Sequence, residues 1–205
     1  SAESLVKYSD KKYVPYIINV AGEWNSIRSL LKEKKISIID LTRSNIIDQK
    51  NWTGFLKSRI IYWYIFLRSF IPLYFLLRKN SPDYFIAQLI TSLPLVLNYI
   101  FSFRFKFILR ISGLPKLNYL RKFLWKITLK KIFVVTCPTA GTVNYLKEFN
   151  IRIDKIKLLY DPIISSQEIM DKKREKNDIS NLFPKSYFIS IGRLTKQKNF
   201  LFLLS

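Results

Sequence analysis

Short apolar runs alternate along this chain with longer segments of helical length. Residues 13–20, 36–41, 84–87, 105–110, 132–136 and 155–159 are rich in Ile, Val, Phe and Tyr and read as strands. Residues 24–34, 54–79, 91–103, 116–131 and 139–149 read as the helices between them. The punctuation agrees. Pro138 closes a strand, and Thr139 is placed to cap the helix that follows. Thr91 or Ser92 can cap the helix that carries Pro94 in its first turn. Ser112-Gly113 and Leu114-Pro115 mark the turn before residues 116–131. Apolar strands separated by helix-length segments predict a parallel sheet covered on both faces, an α/β fold of the doubly wound, Rossmann-like type. Ligands of such sheets bind at the carboxyl ends of the strands. Those ends are Ala21-Gly22-Glu23, the turns after Leu41 and Ala87, Ile111-Ser112-Gly113 and the turn after Thr136.

The alternation stops at residues 165–185, which are polar and charged around Lys172-Lys173-Arg174-Glu175-Lys176-Asn177-Asp178. This stretch reads as a connection between two domains. Beyond it, Tyr187-Phe188-Ile189-Ser190-Ile191-Gly192 reads as a buried strand opening a second α/β unit.

Two stretches invite comparison with a membrane span. Residues 84–103 carry no charge over twenty positions, the length of a span. They also contain Gln88, Thr91, Ser92, Pro94, Asn98 and Ser102, and divide into a strand and a helix. Residues 54–77 are interrupted by Lys57, Arg59 and Arg68, and Arg68 would fall near mid-bilayer. Neither is expected to span. Residues 116–131 suit attachment to a surface better. Lys122, Lys126 and Lys130 form a basic stripe, and Leu117, Leu120, Leu124 and Ile127 an apolar one, with Phe123 and Trp125 at the flanks. A basic amphipathic helix can lie on an anionic membrane, or it can be the solvated face of an ordinary surface helix.

Charge enlarges this picture. Lys and Arg number 35 against 14 acids, a net +21. Between Asp48 and Glu148 the only acid is Asp83, against sixteen Lys and Arg. Such a field attracts phosphates, anionic lipid or nucleic acid. Chemistry is narrowed from the other side. The chain has no histidine, which removes His-based nucleophile activation and His-ligated metal. Its single cysteine, Cys137, has no disulfide partner and reads as a small core residue. No Gly-x-Gly-x-x-Gly and no Walker-type loop is present. Ser1 at one end and an apolar run to Leu204 at the other suggest a piece of a longer protein.

Gly192-Arg193-Leu194-Thr195-Lys196-Gln197-Lys198-Asn199-Phe200, after the strand at 187–192, resembles the opening of the C-terminal domain in retaining glycosyltransferases of the GT-B fold, family 4. In that family an apolar strand leads into Gly-Arg-Leu, a short polar loop and Lys-Asn or Lys-Gly at a helix start. Weaker likenesses follow in the family's order. Ser81-Pro82-Asp83 before an apolar strand is one, and Val134-Val135-Thr136-Cys137-Pro138-Thr139 is another. Lys155-Ile156-Lys157-Leu158-Leu159-Tyr160-Asp161-Pro162 is a third, with Asp161 where Asn is usual. Residues 110–118 are similar to the version found in polysaccharide- and lipopolysaccharide-assembly members.

The resemblance implies a GT-B architecture. Residues 1–164 would be an acceptor-side Rossmann-like domain whose first strand lies before Ser1. Residues 165–185 would be the linker, and 186–205 the start of a nucleotide-sugar-binding domain. It implies a hexosyltransferase that moves a sugar from a nucleotide-sugar donor to a lipid-linked or polysaccharide acceptor. That enzyme would be cytoplasmic, peripheral on the inner face of the membrane, and would use neither a metal cofactor nor nucleic acid. Arg193 and Lys198 would hold the donor diphosphate, where negative charge grows as the glycosidic bond breaks, and Gly192 would let the backbone approach it. Ser112 or the Gly113 amide would stand near the donor sugar, where several members carry a His that this chain lacks. The family's Glu pair, with seven residues between its members, belongs to a later part of the C-terminal domain. Glu168 and Glu175 have six residues between them, lie in the polar stretch and read as solvated charges. The chain alone is therefore expected to be inactive. The competing reading is a basic membrane-surface or nucleic-acid-binding module without catalysis.

Overall fold

The computed structural model describes residues 2–10, 12–42, 55–88, 92–114, 118–148, 152–160 and 166–174. The chain divides into two compact units, Ser1–Tyr160 and Asp161–Ser205.

The first unit is α/β with parallel sheets. Helix α1 (Ala2–Tyr8) precedes β1 (Tyr16–Asn19), and α2 (Arg28–Glu33) leads to β2 (Ser37–Asp40). A long helix, α3 (Phe55–Asn80), is followed by β3 (Tyr84–Gln88), α4 (Ser92–Phe101) and β4 (Lys106–Arg110). Then come α5 (Tyr119–Thr128), β5 (Val134–Cys137), α6 (Ala140–Lys147) and β6 (Ile156–Leu158). Within the stretch 84–103, Tyr84–Gln88 is a strand and Ser92–Phe101 a helix, as its Pro and polar residues indicate.

The strands fall into two sheets. Strands β1 and β2 pair parallel, and β3-β4-β5-β6 form a four-stranded parallel sheet in sequence order. The expected cover on both faces is not what this second sheet shows. Parallel neighbours are joined by right-handed crossovers, so strands laid down one after another in the same direction send α4, α5 and α6 to one face. The register shows the result. Phe85, Ala87, Phe107, Leu109, Val135, Cys137 and Ile156 share the face that builds the main core with Leu95, Trp125, Leu129 and Leu146. On the opposite face Tyr84 and Ile86 stay exposed.

Helix α5 packs differently from its expected stripes. Trp125, Thr128 and Leu129 are buried, whereas Leu120 and Phe123 are exposed. Trp125 is therefore core rather than a flanking aromatic. Positions 125, 128 and 129 lie at three- and four-residue spacing, and the large flat indole fills the space above the sheet that Leu120 does not reach.

The helix ends are closed without glycine. Lys35 follows α2 at φ 58°, with Lys35 N donating to Lys32 O (3.0 Å) and Ile36 N to Leu31 O (2.9 Å). This is a Schellman closure, and Leu31 and Ile36 bury together beneath it. Ser81 and Ser102 play the same part after α3 and α4, at φ 39° and 47°, donating to Leu77 O and Asn98 O. Two lysines add bonds to carbonyls at helix ends. Lys131 Nζ donates to Tyr99 O and Ser102 Oγ, and Lys155 Nζ to Lys130 O and Ile132 O. Thr139 caps α6 as its sequence position suggests, accepting from Thr142 N at 3.2 Å.

In the second unit, Ser166–Arg174 of the polar stretch is a helix, α7. Gln, Glu, Met, Lys and Arg are all good helix formers, so polarity alone does not exclude one.

Two stability effects are expected. Trp125→Ala removes the largest fully buried side chain and should lower the unfolding free energy by about 3–5 kcal/mol in urea titrations. Lys35→Gly relieves a left-handed backbone position and should raise it by roughly 0.5–1 kcal/mol.

Candidate functional site

All four strands of the larger sheet end on one edge, so the turns that follow them converge there. Gln88 ends β3, Arg110 ends β4, and Cys137 ends β5. The ladder continues past the strands, with Ile111 N donating to Thr136 O (2.9 Å) and Leu159 N to Cys137 O (2.8 Å). The Gln88 side chain donates from Nε2 to Ser112 Oγ at 3.3 Å, which ties the ends of β3 and β4 together. Ser112 and Gly113 are both exposed on this edge. A Cβ built at Gly113 meets nothing within 4 Å, so the backbone there lies open to solvent.

A second polar group closes the carboxyl ends of β1 and β2, and the sequence analysis did not single it out. Asn19 is buried at the last position of β1. Its Nδ2 donates to Asp40 Oδ1 (2.8 Å) and Asn25 Oδ1 (3.0 Å). Arg28 donates to Asp40 Oδ1 at 2.6 Å and to Asn25 Oδ1 at 3.1 Å. Arg28 first, and Asn19 after it, hold the Asp40 carboxyl below its ordinary pKa, while Asp40 raises that of Arg28. Next to them Glu23 accepts from Ala21 N (2.7 Å) and Val20 N (3.3 Å), closing the turn that carries Gly22 at φ 96°. The available signal was a polar residue ending each apolar strand, Tyr-Ile-Ile-Asn19 and Ser-Ile-Ile-Asp40. This group is a closed hydrogen-bonded cluster that sets the shape of the edge.

The remaining candidates lie elsewhere. Lys122, Lys126 and Lys130 project from the exposed side of α5 and the turn after it, next to exposed Tyr119, Leu120 and Phe123. Gly192, Arg193 and Lys198 lie outside the described residues. An open groove of about 800 Å³ sits at the opposite edge, where α3 and α4 end and β3 and β4 begin. Its walls include Tyr74, Arg78, Phe101, Arg104 and Lys106. Size does not make it the reaction site, because the loops of a parallel sheet that bear chemistry follow the strands rather than precede them. Among the described residues no three His, Cys, Asp or Glu side chains come together as a metal site.

No protein-family model matches the chain, and no curated protein or solved structure matches it either.

Cys137 is the one thiol at this edge, and burial pushes its pKa up to about 11. The native protein should resist alkylation by iodoacetamide at pH 8 and react at the ordinary rate once unfolded. The unfolded thiol ionises near pH 8.5 and the folded one only near 11, so stability should fall as pH rises through that window. Asp40 works in the opposite direction. Its contribution is complete above the ordinary carboxylate pKa, about 3.9, and is lost as pH falls through its lower folded value. Acid titration of Asp40→Asn should show less destabilisation over that range than the parent.

Proposed function

We propose that the chain belongs to a GT-B glycosyltransferase that passes a sugar from a nucleotide donor to a lipid-linked or polysaccharide acceptor. The observation that carries this reading is the segment Gly192-Arg193-Leu194…Lys198-Asn199, which follows a chain of parallel α/β units. In this reading residues 1–164 are the Rossmann-like acceptor side and 186–205 begin the donor side. Arg193 and Lys198 meet the diphosphate of the leaving nucleotide and offset the charge it gains as the glycosidic bond breaks. Ser112 or the Gly113 amide is the group that meets the donor sugar. The lysines of α5 turn toward the anionic surface that bears the acceptor.

The edge supports this division of labour through its chemistry. It offers hydroxyl, amide and backbone groups, which suit the orientation of a polyhydroxylated substrate. The mixture of exposed aromatics and lysines on α5 also favours a second reading, a membrane-surface module without catalysis.

Calorimetric titration of UDP and GDP into the full gene product separates the two. The transferase reading expects saturable binding of one of them, weakened roughly 10- to 100-fold by Arg193→Ala and by Lys198→Ala, the loss of a charge-assisted hydrogen bond in each case. Absence of nucleotide binding in the parent protein, or unchanged binding in both variants, overturns it. Ser112→Ala should lower turnover with little change in nucleotide affinity.

A further inference from the structure

Helix α3 is apolar on all sides, yet only one side is covered. Among the described residues its buried positions, Ser69, Leu73 and Leu77, lie in its second half, and Leu73 and Leu77 pack with Leu93 and Leu97 of α4. On the opposite side Ile60, Trp63, Leu67, Ile71 and Phe75 recur every three or four residues, and each is more than 60% exposed. Tyr64 widens the stripe toward its start. A soluble surface helix carries charged and polar residues on this side. The length of α3 points the same way. Its 26 residues reach about 39 Å, whereas the five residues of β3 reach about 17 Å, so the helix is more than twice the length of the strand that follows it.

We infer that this stripe is the surface by which the protein sits on an anionic lipid bilayer, with α3 lying in the interface. The charges decide the occupant. From Arg59 to Lys79 every charged residue of the helix is basic, and Asp83 is the only acid between Asp48 and Glu148. Arg68 and Arg78 bend back to bond the Tyr64 and Tyr74 hydroxyls and lie over those rings, which places cations beside the apolar stripe at headgroup level. The exposed side of α5 repeats the combination with Tyr119, Leu120 and Phe123 among Lys122, Lys126 and Lys130. Both helices pack against α4. Single-stranded nucleic acid would use the same cations but stacks on aromatic rings. Three of the five stripe positions, Ile60, Leu67 and Ile71, are aliphatic, and aliphatic groups favour acyl chains.

The helix from Arg59 to Asn80 is also long and apolar enough to cross a membrane, with a mean hydropathy of 1.7. Crossing would strip Ser69, Leu73 and Leu77 from their packing and place Arg68 in hydrocarbon. Lying in the interface keeps both, because the covered side stays on the protein and the exposed side enters the lipid.

The inference does not rest on sugar transfer and is tested without any substrate. Flotation of the full gene product with vesicles of phosphatidylcholine containing one third phosphatidylglycerol, in 0.15 M and 0.5 M salt, should show binding that high salt weakens but does not abolish. The triple variant Trp63→Ser, Leu67→Ser, Phe75→Ser should lose roughly a thousandfold in partitioning, since each of the three large apolar groups withdrawn from water contributes about tenfold when fully buried. Thermal unfolding on the same samples should be unchanged, as these side chains are exposed. The single variant Ile71→Glu should lose binding in the same direction and guards against a misfolded triple variant. Lys126→Ala with Lys130→Ala should weaken binding at low salt only. Equal flotation of parent and triple variant overturns the inference. So does tighter binding to a dT oligonucleotide than to the vesicles, or self-association that the triple variant abolishes while vesicles are ignored.

Discussion

A parallel strand cannot return to its neighbour through a tight turn, and everything in this chain follows from that constraint. Each ladder is parallel, so each pair of adjacent strands needs a connection that travels the length of the sheet. Because β3, β4, β5 and β6 lie in sequence order, their right-handed crossovers stack α4, α5 and α6 on one face. That face supplies the core of Phe107, Leu109, Val135 and Trp125. The same constraint brings every strand end to one edge, where Gln88, Ser112 and Gly113 meet.

The large positive charge divides into parts with different work. Lys131 and Lys155 satisfy carbonyls at the ends of the helical segments, and Arg28 closes the cluster around Asn19 and Asp40. Arg68, Arg78 and Lys106 lie over tyrosine rings. Lys131, Lys155 and Arg28 serve local structure, whereas Arg68 and Arg78 also stand beside the apolar stripe of α3. Lys122, Lys126 and Lys130 serve no such role and share the exposed side of α5 with aromatics. A net charge counted along the sequence cannot make this separation, since it depends on which carbonyls and rings come within reach in space.

Element order was legible because short apolar runs and helix-length segments differ in period and length, and because Thr139, Pro94 and Pro138 mark ends by local chemistry. The edge that carries Ser112 was legible for the same reason: it lies where a parallel strand stops. The Asn19–Asp40–Arg28 cluster was harder to see. Its members are separated by up to 21 positions in the chain, and only the pairing of β1 with β2 sets Asn19 and Asp40 side by side.

By itself the sequence determined the α/β alternation, the parallel character of the strands, the cap at Thr139 and the absence of histidine and disulfide chemistry. Each of these depends on a residue and its near neighbours. The tertiary structure alone decided which side of each apolar segment is covered. Trp125 reads as a flanking aromatic in sequence and becomes core, while Leu120 of the apolar stripe faces outward. Hydrophobicity records how strongly a side chain avoids water. Whether the fold has a place for it depends on strand order and on the hand of the crossovers, and neither is written at any single position.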